Sequence, residues 1–453
     1  MLGQAFTVDN FLNIFDEENR KGIYLEKRFW PELVEKNYAL RDIAKEFRGL
    51  KKSRKKKDIT KKEHDEKKEL LNEQKDILLK EKEDFLRDEF QKISETVLEG
   101  RFAVDLQCIS IAGKSIYNFN KNCPISFFTF KQIQHNLKTL YKIKQQNRDE
   151  IICQLKSLLV DTMPKWLIKT DIKNFYESID QELLRKKITS DSLLSLTSQK
   201  IIIDALLNYK RQYAKNTGIP RGLSISAYLA ELYMRDFDKY IIEKPEVFFY
   251  ARYVDDIVIL TTPIENKKPE DLLDDIDKRL NKYGLSQNPA KSQAISLPSP
   301  KNIMVEYLGY SFTITTDKNK RLEITISNKR LNRYKKKISI AFSQFEREKI
   351  RRLKIAAINL YNRLRFLTSN TRLVNNKKNA IVGIYFSNRF VNNDRFLGEL
   401  DRYLHSHAGN LHSEKLKLKI LNLSFRKGFT EKLFSKFTHQ NFSTITRVWK
   451  NVI

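Results

Sequence analysis

Two adjacent aspartates close the segment Tyr253-Val254-Asp255-Asp256, which is flanked by the apolar runs Val247-Phe248-Phe249-Tyr250 and Ile257-Val258-Ile259-Leu260. Two short apolar runs about a polar turn predict a β-hairpin with both carboxylates at its tip. Like charges side by side next to buried strands repel one another unless a cation compensates them. A divalent metal held by carboxylate oxygens is one compensation. An ordinary acidic turn is the other reading, since Asp is a common turn former. What decides between them is the rest of the chain.

Upstream, Trp166-Leu167-Ile168-Lys169-Thr170-Asp171 reads as a short strand ending on an aspartate, followed by a turn through Phe175-Tyr176 and then a helix. Asp180, before Gln181-Glu182-Leu183-Leu184, occupies the N-cap position of that helix, and Glu177 lies on its solvent side. Asp171 has no capping role and reads as the third carboxylate of a two-metal site. Between the acidic elements, Gly218-Ile219-Pro220-Arg221-Gly222-Leu223-Ser224-Ile225-Ser226 predicts a loop. It feeds an amphipathic helix with Ala227, Ala230, Met234, Phe237 and Ile241 on its apolar face.

Two further segments follow. Tyr283-Gly284-Leu285-Ser286-Gln287-Asn288-Pro289-Ala290-Lys291 ends a charged helix and presents a lysine, read either as surface or as functional. Glu306-Tyr307-Leu308-Gly309-Tyr310-Ser311-Phe312 is expected to start a strand that runs to Thr315. It would turn over Asp317-Lys318-Asn319-Lys320 and return through Leu322-Glu323-Ile324-Thr325-Ile326 as a hairpin.

In this order the segments resemble the palm motifs of reverse transcriptases. Asp171 with Phe175-Tyr176 is similar to the first catalytic motif, Gly218 to Ser226 to the second and Tyr253 to Asp256 to the third. Asn288-Pro289-Ala290-Lys291 is similar to the fourth, and Tyr307-Leu308-Gly309-Tyr310 to the primer grip. The resemblance covers residues 105 to 330 and is strongest from 165 to 312. Within the superfamily the chain resembles the bacterial defence-associated and abortive-infection group, relatives of retron and group II intron enzymes. Those enzymes typically carry Pro-Gln-Gly and Ser-Pro where this chain has Pro220-Arg221-Gly222 and Ser226-Ala227. The Ala227 to Tyr233 continuation and Asn147-Arg148-Asp149-Glu150-Ile151 also look like the defence group.

The resemblance implies an α+β, right-hand polymerase fold with fingers, palm and thumb and an antiparallel palm sheet. The expected divisions are an N-terminal segment with a charged helical insertion over 1–100, fingers and palm over 101–326, a thumb over 327–370 and an α-helical extension over 371–453. It implies RNA-directed DNA synthesis from dNTPs by two-metal phosphoryl transfer. Asp171 and Asp255 would bridge two Mg²⁺ ions, with Mn²⁺ as a substitute. Asp256 and the main-chain carbonyl of Ile172 would assist. Tyr176 stands at the family's steric gate against a 2′-hydroxyl, with Phe175 beside it, and Lys291 would act as a general acid near the pyrophosphate. Lys114 and Arg148 are the candidate triphosphate cations, and Arg221 and Gly222 would lie near the nucleotide.

Composition agrees with a polyanion partner. The 453 residues carry 85 Lys and Arg against 56 Asp and Glu, a formal charge of +29 with pI near 9.7. Binding driven by counterion release follows, and a simple basic binding protein would share it. The expected partners are a template RNA, in the defence group a non-coding RNA, with DNA product, dNTPs and a homo-oligomer or second protein. No apolar run approaches membrane-spanning length, and the first residues do not resemble a signal peptide. Cys108, Cys123 and Cys153 form no Cys-x-x-Cys pair, which points to buried or inert thiols in a reduced, cytoplasmic compartment. His405, His407 and His412 lack metal-ligand partners at zinc spacing.

Residues 51–99 are dominated by Lys and Glu, with Leu70, Leu71, Ile77, Leu78, Phe85, Leu86 and Phe90 at helical spacings. They predict a long helix or helical hairpin, either a solvated insertion or a grip on RNA or a partner chain. Beyond the primer-grip segment, a helix opening at Asn328 and a second over Leu353–Leu367 would form the thumb. The chain to Ile453 reads as helical and basic. Three other functions share these features: an RNA-templated RNA polymerase, opposed by Tyr176; template-independent or protein-primed DNA synthesis; and a nucleic-acid-binding or toxin-like module with an unused palm.

Overall fold

The computed structural model describes residues 3–111, 113–120, 122–143, 146–315, 322–373 and 380–449. In chain order the first elements are α1 (Val8–Arg20), α2 (Leu25–Phe29), α3 (Glu32–Lys56), α4 (Lys61–Leu98), β1 (Gln107–Ile111), β2 (Lys114–Asn118), α5 (Pro124–Leu140), α6 (Arg148–Val160), β3 (Lys165–Asp171), α7 (Phe175–Ser178), α8 (Gln181–Ser190), α9 (Leu196–Tyr213) and α10 (Ser226–Ile242). There follow β4 (Val247–Tyr253), β5 (Asp256–Thr261), α11 (Pro269–Asn281), β6 (Gln293–Leu297), β7 (Ile303–Tyr307), β8 (Tyr310–Ile314), β9 (Leu322–Ile326), α12 (Asn328–Thr368), β10 (Asn370–Arg372), β11 (Ile381–Gly383), α13 (Arg395–Gly409), α14 (Glu414–Leu421), α15 (Phe425–Thr430) and α16 (His439–Arg447). They divide into two units. One comprises Met1–Ile109, Ile116–Ile143 and Gln181–Leu229; the other comprises Ser110–Ser115, Lys144–Asp180 and Ala230–Ile453.

In the first unit the helical run expected over 51–99 is one half of an antiparallel pair, α3 with α4. The turn is made by Lys57 in the left-handed region (φ 64°) and by Thr60, which forms a capping box with Glu63. Leu71, Leu86 and Phe90 are buried as the helical spacing requires, whereas Leu70 and Ile77 are exposed. The base of the pair is fixed by an aromatic cluster in which Phe90 lies 4.7 Å from Phe128 and 5.5 Å from Trp30, edge to face.

The second unit holds a four-stranded antiparallel sheet in the order β4-β5-β3-β6. All seven residues of β3 are buried, as befits an interior strand. A three-stranded antiparallel sheet, β7-β8-β9, packs with it around Leu167, Val258, Leu260, Phe312 and Ile324. The strand expected from Glu306 is therefore interrupted: Leu308 (φ 46°) and Gly309 (φ 78°) form a tight turn that reverses β7 into β8. Positive φ at both central positions is the turn geometry that matches strand twist, and Gly309 supplies half of it without strain. The Asp317–Lys320 turn lies outside the described residues.

The two helices expected after Asn328 are both present: α12 is broken at Arg352 (φ −150°, ψ 78°), so that a first helix opens at Asn328 and a second begins at Leu353. The inner face of α12 packs against α13 to α16 through Leu360, Leu364, Leu397, Leu400 and Trp449. The short β10–β11 ribbon was not anticipated in a region read as helical. Among the described residues no helix is long and apolar enough to cross a membrane.

Candidate active site

Strand register brings the three aspartates together. Asp171, the last residue of β3, is paired directly with Asp256, the first residue of β5, and Asp256 is paired in turn with Tyr253 of β4. Asp255 sits in the turn between, after Val254 in the left-handed region (φ 63°). The Ile172 N–H donates to the Asp255 carbonyl at 3.0 Å, which ties the end of β3 to that turn. One carboxylate oxygen from each of Asp171, Asp255 and Asp256 can be chosen so that all lie within 4.8 Å of one another. Three hard oxygen donors converging at a strand end fit one or two divalent cations such as Mg²⁺.

The electrostatics match that crowding. Burial, reinforced by Asp255 and Asp171, pushes the Asp256 carboxyl up to about 6, although Lys169 and Lys291 pull the other way. Lys291 is at the end of a short 3₁₀ turn, Pro289–Lys291. Its Nζ donates to both oxygens of Asp171, at 3.0 and 2.9 Å, and this pairing raises its own pKa. Asn288 adds a main-chain N–H to the Asp171 carbonyl at 2.7 Å and a side-chain contact to Oδ2 at 3.3 Å. Lys291 is thus a partner of the cluster.

Two cations were missed by sequence reasoning. Lys169 lies two residues before Asp171, hence on the same face of β3. It is buried, its Nζ donates to the Lys291 carbonyl at 2.9 Å, and burial lowers its pKa against the pull of Asp256 and Asp171. Arg252 is 4 % exposed, and it donates from Nε and Nη2 to the two oxygens of Asp238 at 2.8 and 2.7 Å. It also reaches Glu231 at 2.5 Å and the Val254 carbonyl at 3.1 Å. A charged residue inside a strand otherwise read as apolar was the available signal, since such a residue is buried only when paired.

Other expected residues are placed differently. Phe175 is buried and packs edge-on to Tyr176 at 5.6 Å, and Tyr176 is half-buried. Arg148 opens α6 and is half-buried. Its Nε and Nη2 donate to the Leu308 carbonyl at 3.0 and 2.7 Å, and its guanidinium lies 5.0 Å from the Tyr310 ring centroid. It therefore braces the β7–β8 turn. Lys114 opens β2 and is exposed.

In the 218–226 loop, the Tyr117 N–H donates to the Arg221 carbonyl at 2.7 Å. Gly222 (φ 103°) has no room for a Cβ, which would meet Ile116 Cγ2 at 2.3 Å. The close approach of backbone to β2 explains that glycine. At the expected primer grip, Tyr307 and Tyr310 are buried and only the Leu308-Gly309 turn is partly open. The Tyr307 hydroxyl is 3.4 Å from both the Ala251 and Asp256 carbonyls, beneath the aspartate turn.

Cys108 and Cys153 are exposed and Cys123 is partly so, rather than buried, and all three are free thiols. His407 packs on Tyr403 and Phe342. Among the described residues the three aspartates are the only cluster of this kind.

No curated protein matches the chain. Solved structures similar to it include the apo telomerase from Candida tropicalis truncated from its C-terminal domain (16 % identity, 49 % of this chain and 54 % of that one, TM-score 0.36). Another is the telomerase from Candida albicans in complex with a TWJ fragment of telomeric RNA (12 % identity, 76 % and 61 %, TM-score 0.38). The chain spans little more than half the length of the first of these. Residues 107–312 match the family model described as reverse transcriptase (RNA-dependent DNA polymerase), and the antiparallel sheet that carries Asp171, Asp255 and Asp256 lies within the matched residues, in a mixed helix and strand architecture of the right-hand polymerase class.

Proposed function

We propose that the protein is an RNA-directed DNA polymerase that extends a primer with dNTPs. The observation that carries this reading is the convergence of Asp171, Asp255 and Asp256 within 4.8 Å at the strand ends of a reverse transcriptase domain. Asp171 and Asp255 would hold two Mg²⁺ ions, or Mn²⁺ in their place, with Asp256 and the Ile172 main chain in support. The metals supply activation of the primer hydroxyl and charge neutralisation on the attacking and leaving oxygens. Lys291 stands near the leaving pyrophosphate as the general acid. Tyr176 lies under the incoming sugar, and the Leu308-Gly309 turn supports the primer end. Lys114, Arg221 and Gly222 are the further residues assigned to the nucleotide.

The divisions that go with this reading are an N-terminal segment with its helical hairpin (1–100), fingers and palm (101–326), a thumb (327–370) and a helical extension (371–453). The likeness of Pro220-Arg221-Gly222 and Ser226-Ala227 to defence-associated enzymes supports a role in antiphage defence with a non-coding RNA as template.

The test is extension of a labelled DNA primer on an RNA template with Mg²⁺, offering dNTPs or rNTPs. Extension with dNTPs alone is the expected result. A folded, RNA-binding protein that extends nothing would sink the reading, and DNA found covalently attached to the chain would replace it with protein priming. In the same assay Tyr176→Ala should raise ribonucleotide incorporation by about 10-fold or more, equivalent to removing over 1 kcal/mol of discrimination. Unchanged sugar selectivity would remove Tyr176 from the gate. In cells, phage resistance that survives loss of the aspartates would detach defence from synthesis.

A further inference from the structure

The α3–α4 pair ends in a charge distribution that the polymerase reading does not use. Between Lys45 and Lys62 ten residues are Lys or Arg, and only Glu46 and Asp58 are acidic. Lower down, α4 alternates Glu and Lys, so the positive charge is concentrated at the tip. Ile43 and Leu71 are the outermost buried side chains of the two helices among the described residues. At 1.5 Å per residue the tip therefore stands roughly 15–20 Å beyond the last packed layer. That is about twice the Debye length at physiological salt, so the buried acidic groups of the base do not cancel its field.

The tip cations are also uncommitted. Lys51, Lys52, Lys55 and Lys56 are exposed, and among the described residues none forms an ion pair; the nearest pairs are Lys45–Asp42 and His64–Asp65. Lys51 with Lys55, and Lys52 with Lys56, are spaced four apart and stack along the helix surface. Like charges so placed destabilise an isolated helix, so the arrangement is favourable only against an external polyanion.

We propose that this tip is a docking surface for the phosphate backbone of structured RNA. No large apolar side chain is exposed between Tyr38 and Leu70 among the described residues. A membrane-surface helix needs an apolar face to bury, and the core of a protein–protein interface is depleted of charge. A nucleic-acid backbone needs neither, since its affinity comes from released counterions. The choice of RNA over DNA rests on the RNA-templated reading, in which RNA is the strand present before synthesis begins.

The test uses the full chain with Lys51, Lys52, Lys55 and Lys56 all changed to Gln. The control carries the same loss of charge at the exposed Lys239, Lys278, Lys282 and Lys415, and a third variant has Arg at the four tip positions. Binding of a labelled RNA hairpin, a DNA duplex of the same sequence and vesicles of one-third phosphatidylserine is measured across a salt series. The expected result is at least 10-fold weaker RNA binding by the Gln tip variant, with a salt slope shallower by about 3. The control and the Arg variant should keep wild-type affinity.

Equal losses in the tip and scattered variants would overturn the proposal, as would a tip effect confined to vesicles or to DNA. Primer extension on a short template separates this failure from failure of the polymerase reading. Tip variants that extend normally but bind the hairpin no worse than the control refute the docking surface alone.

Discussion

Asp171→Asn is expected to abolish primer extension, lowering it by at least about 10³-fold, while leaving the fold intact. The substitution keeps the shape of the side chain and all the β3 main-chain pairing with β5 and β6, so it tests charge and not architecture. Several kcal/mol of transition-state charge stabilisation correspond to that loss. Asp255→Asn should behave alike. In the wild type Mg²⁺ should raise the unfolding temperature, because three crowded carboxylates gain a compensating cation; in either variant the increment should shrink. Thermal unfolding with Mg²⁺ or with EDTA, run beside the extension assay, checks both halves. A dead variant whose Mg²⁺ response equals that of the wild type would separate these aspartates from the metal.

Arg252→Met should cost about 3–5 kcal/mol of stability, the range for breaking a buried ion pair by removing one partner. Burial opposes the Arg252 charge, yet Asp238 and Glu231 more than offset it and hold its pKa well above the usual arginine value. Without the guanidinium, Asp238 and Glu231 lose their partner and Val254 loses its donor. Activity should then fall even under conditions where the protein remains folded, because the Val254 carbonyl belongs to the turn that aims Asp255. Chemical denaturation gives the first quantity. Changing Glu231→Gln and Asp238→Asn in the same chain should restore much of the stability but not the aim of the turn. If the triple variant recovers full activity, Arg252 has only a structural role.

The sequence carried much of the site because its chemistry is local. A polar interruption between apolar runs defines the Asp255-Asp256 turn, and an aspartate with no cap to make stands at the end of β3. The three-stranded sheet was half legible: β8 and β9 followed from alternation, but β7 did not, since its Ile303-Met304-Val305 run lies beside Pro298 and Pro300 and resembles loop. Leu308 hid the reversal, because a leucine at positive φ is rare and nothing local announces it. Arg148 could not be placed from sequence at all. Its partner, the Leu308 carbonyl, is 160 residues away and is a main-chain atom that every residue type provides. Arg252 was hidden for a related reason, as its acidic partners sit on α10, on the far side of a turn.

The bracing of the β7–β8 turn has a mechanical consequence. Tyr307 reaches from beneath to carbonyls on both strands that flank the aspartate turn, and Arg148 clamps the Leu308 carbonyl from α6. The turn and the carboxylates are therefore parts of one stiff body, with little freedom to shift independently. A strand end resting on that turn would have its distance from the aspartates fixed by the protein and not by its own pairing. A mispaired terminus, lifted or slid by an ångström, would be out of reach of the reaction by the same ångström. Fidelity would then come from rigidity, with no need for a second site to inspect the product.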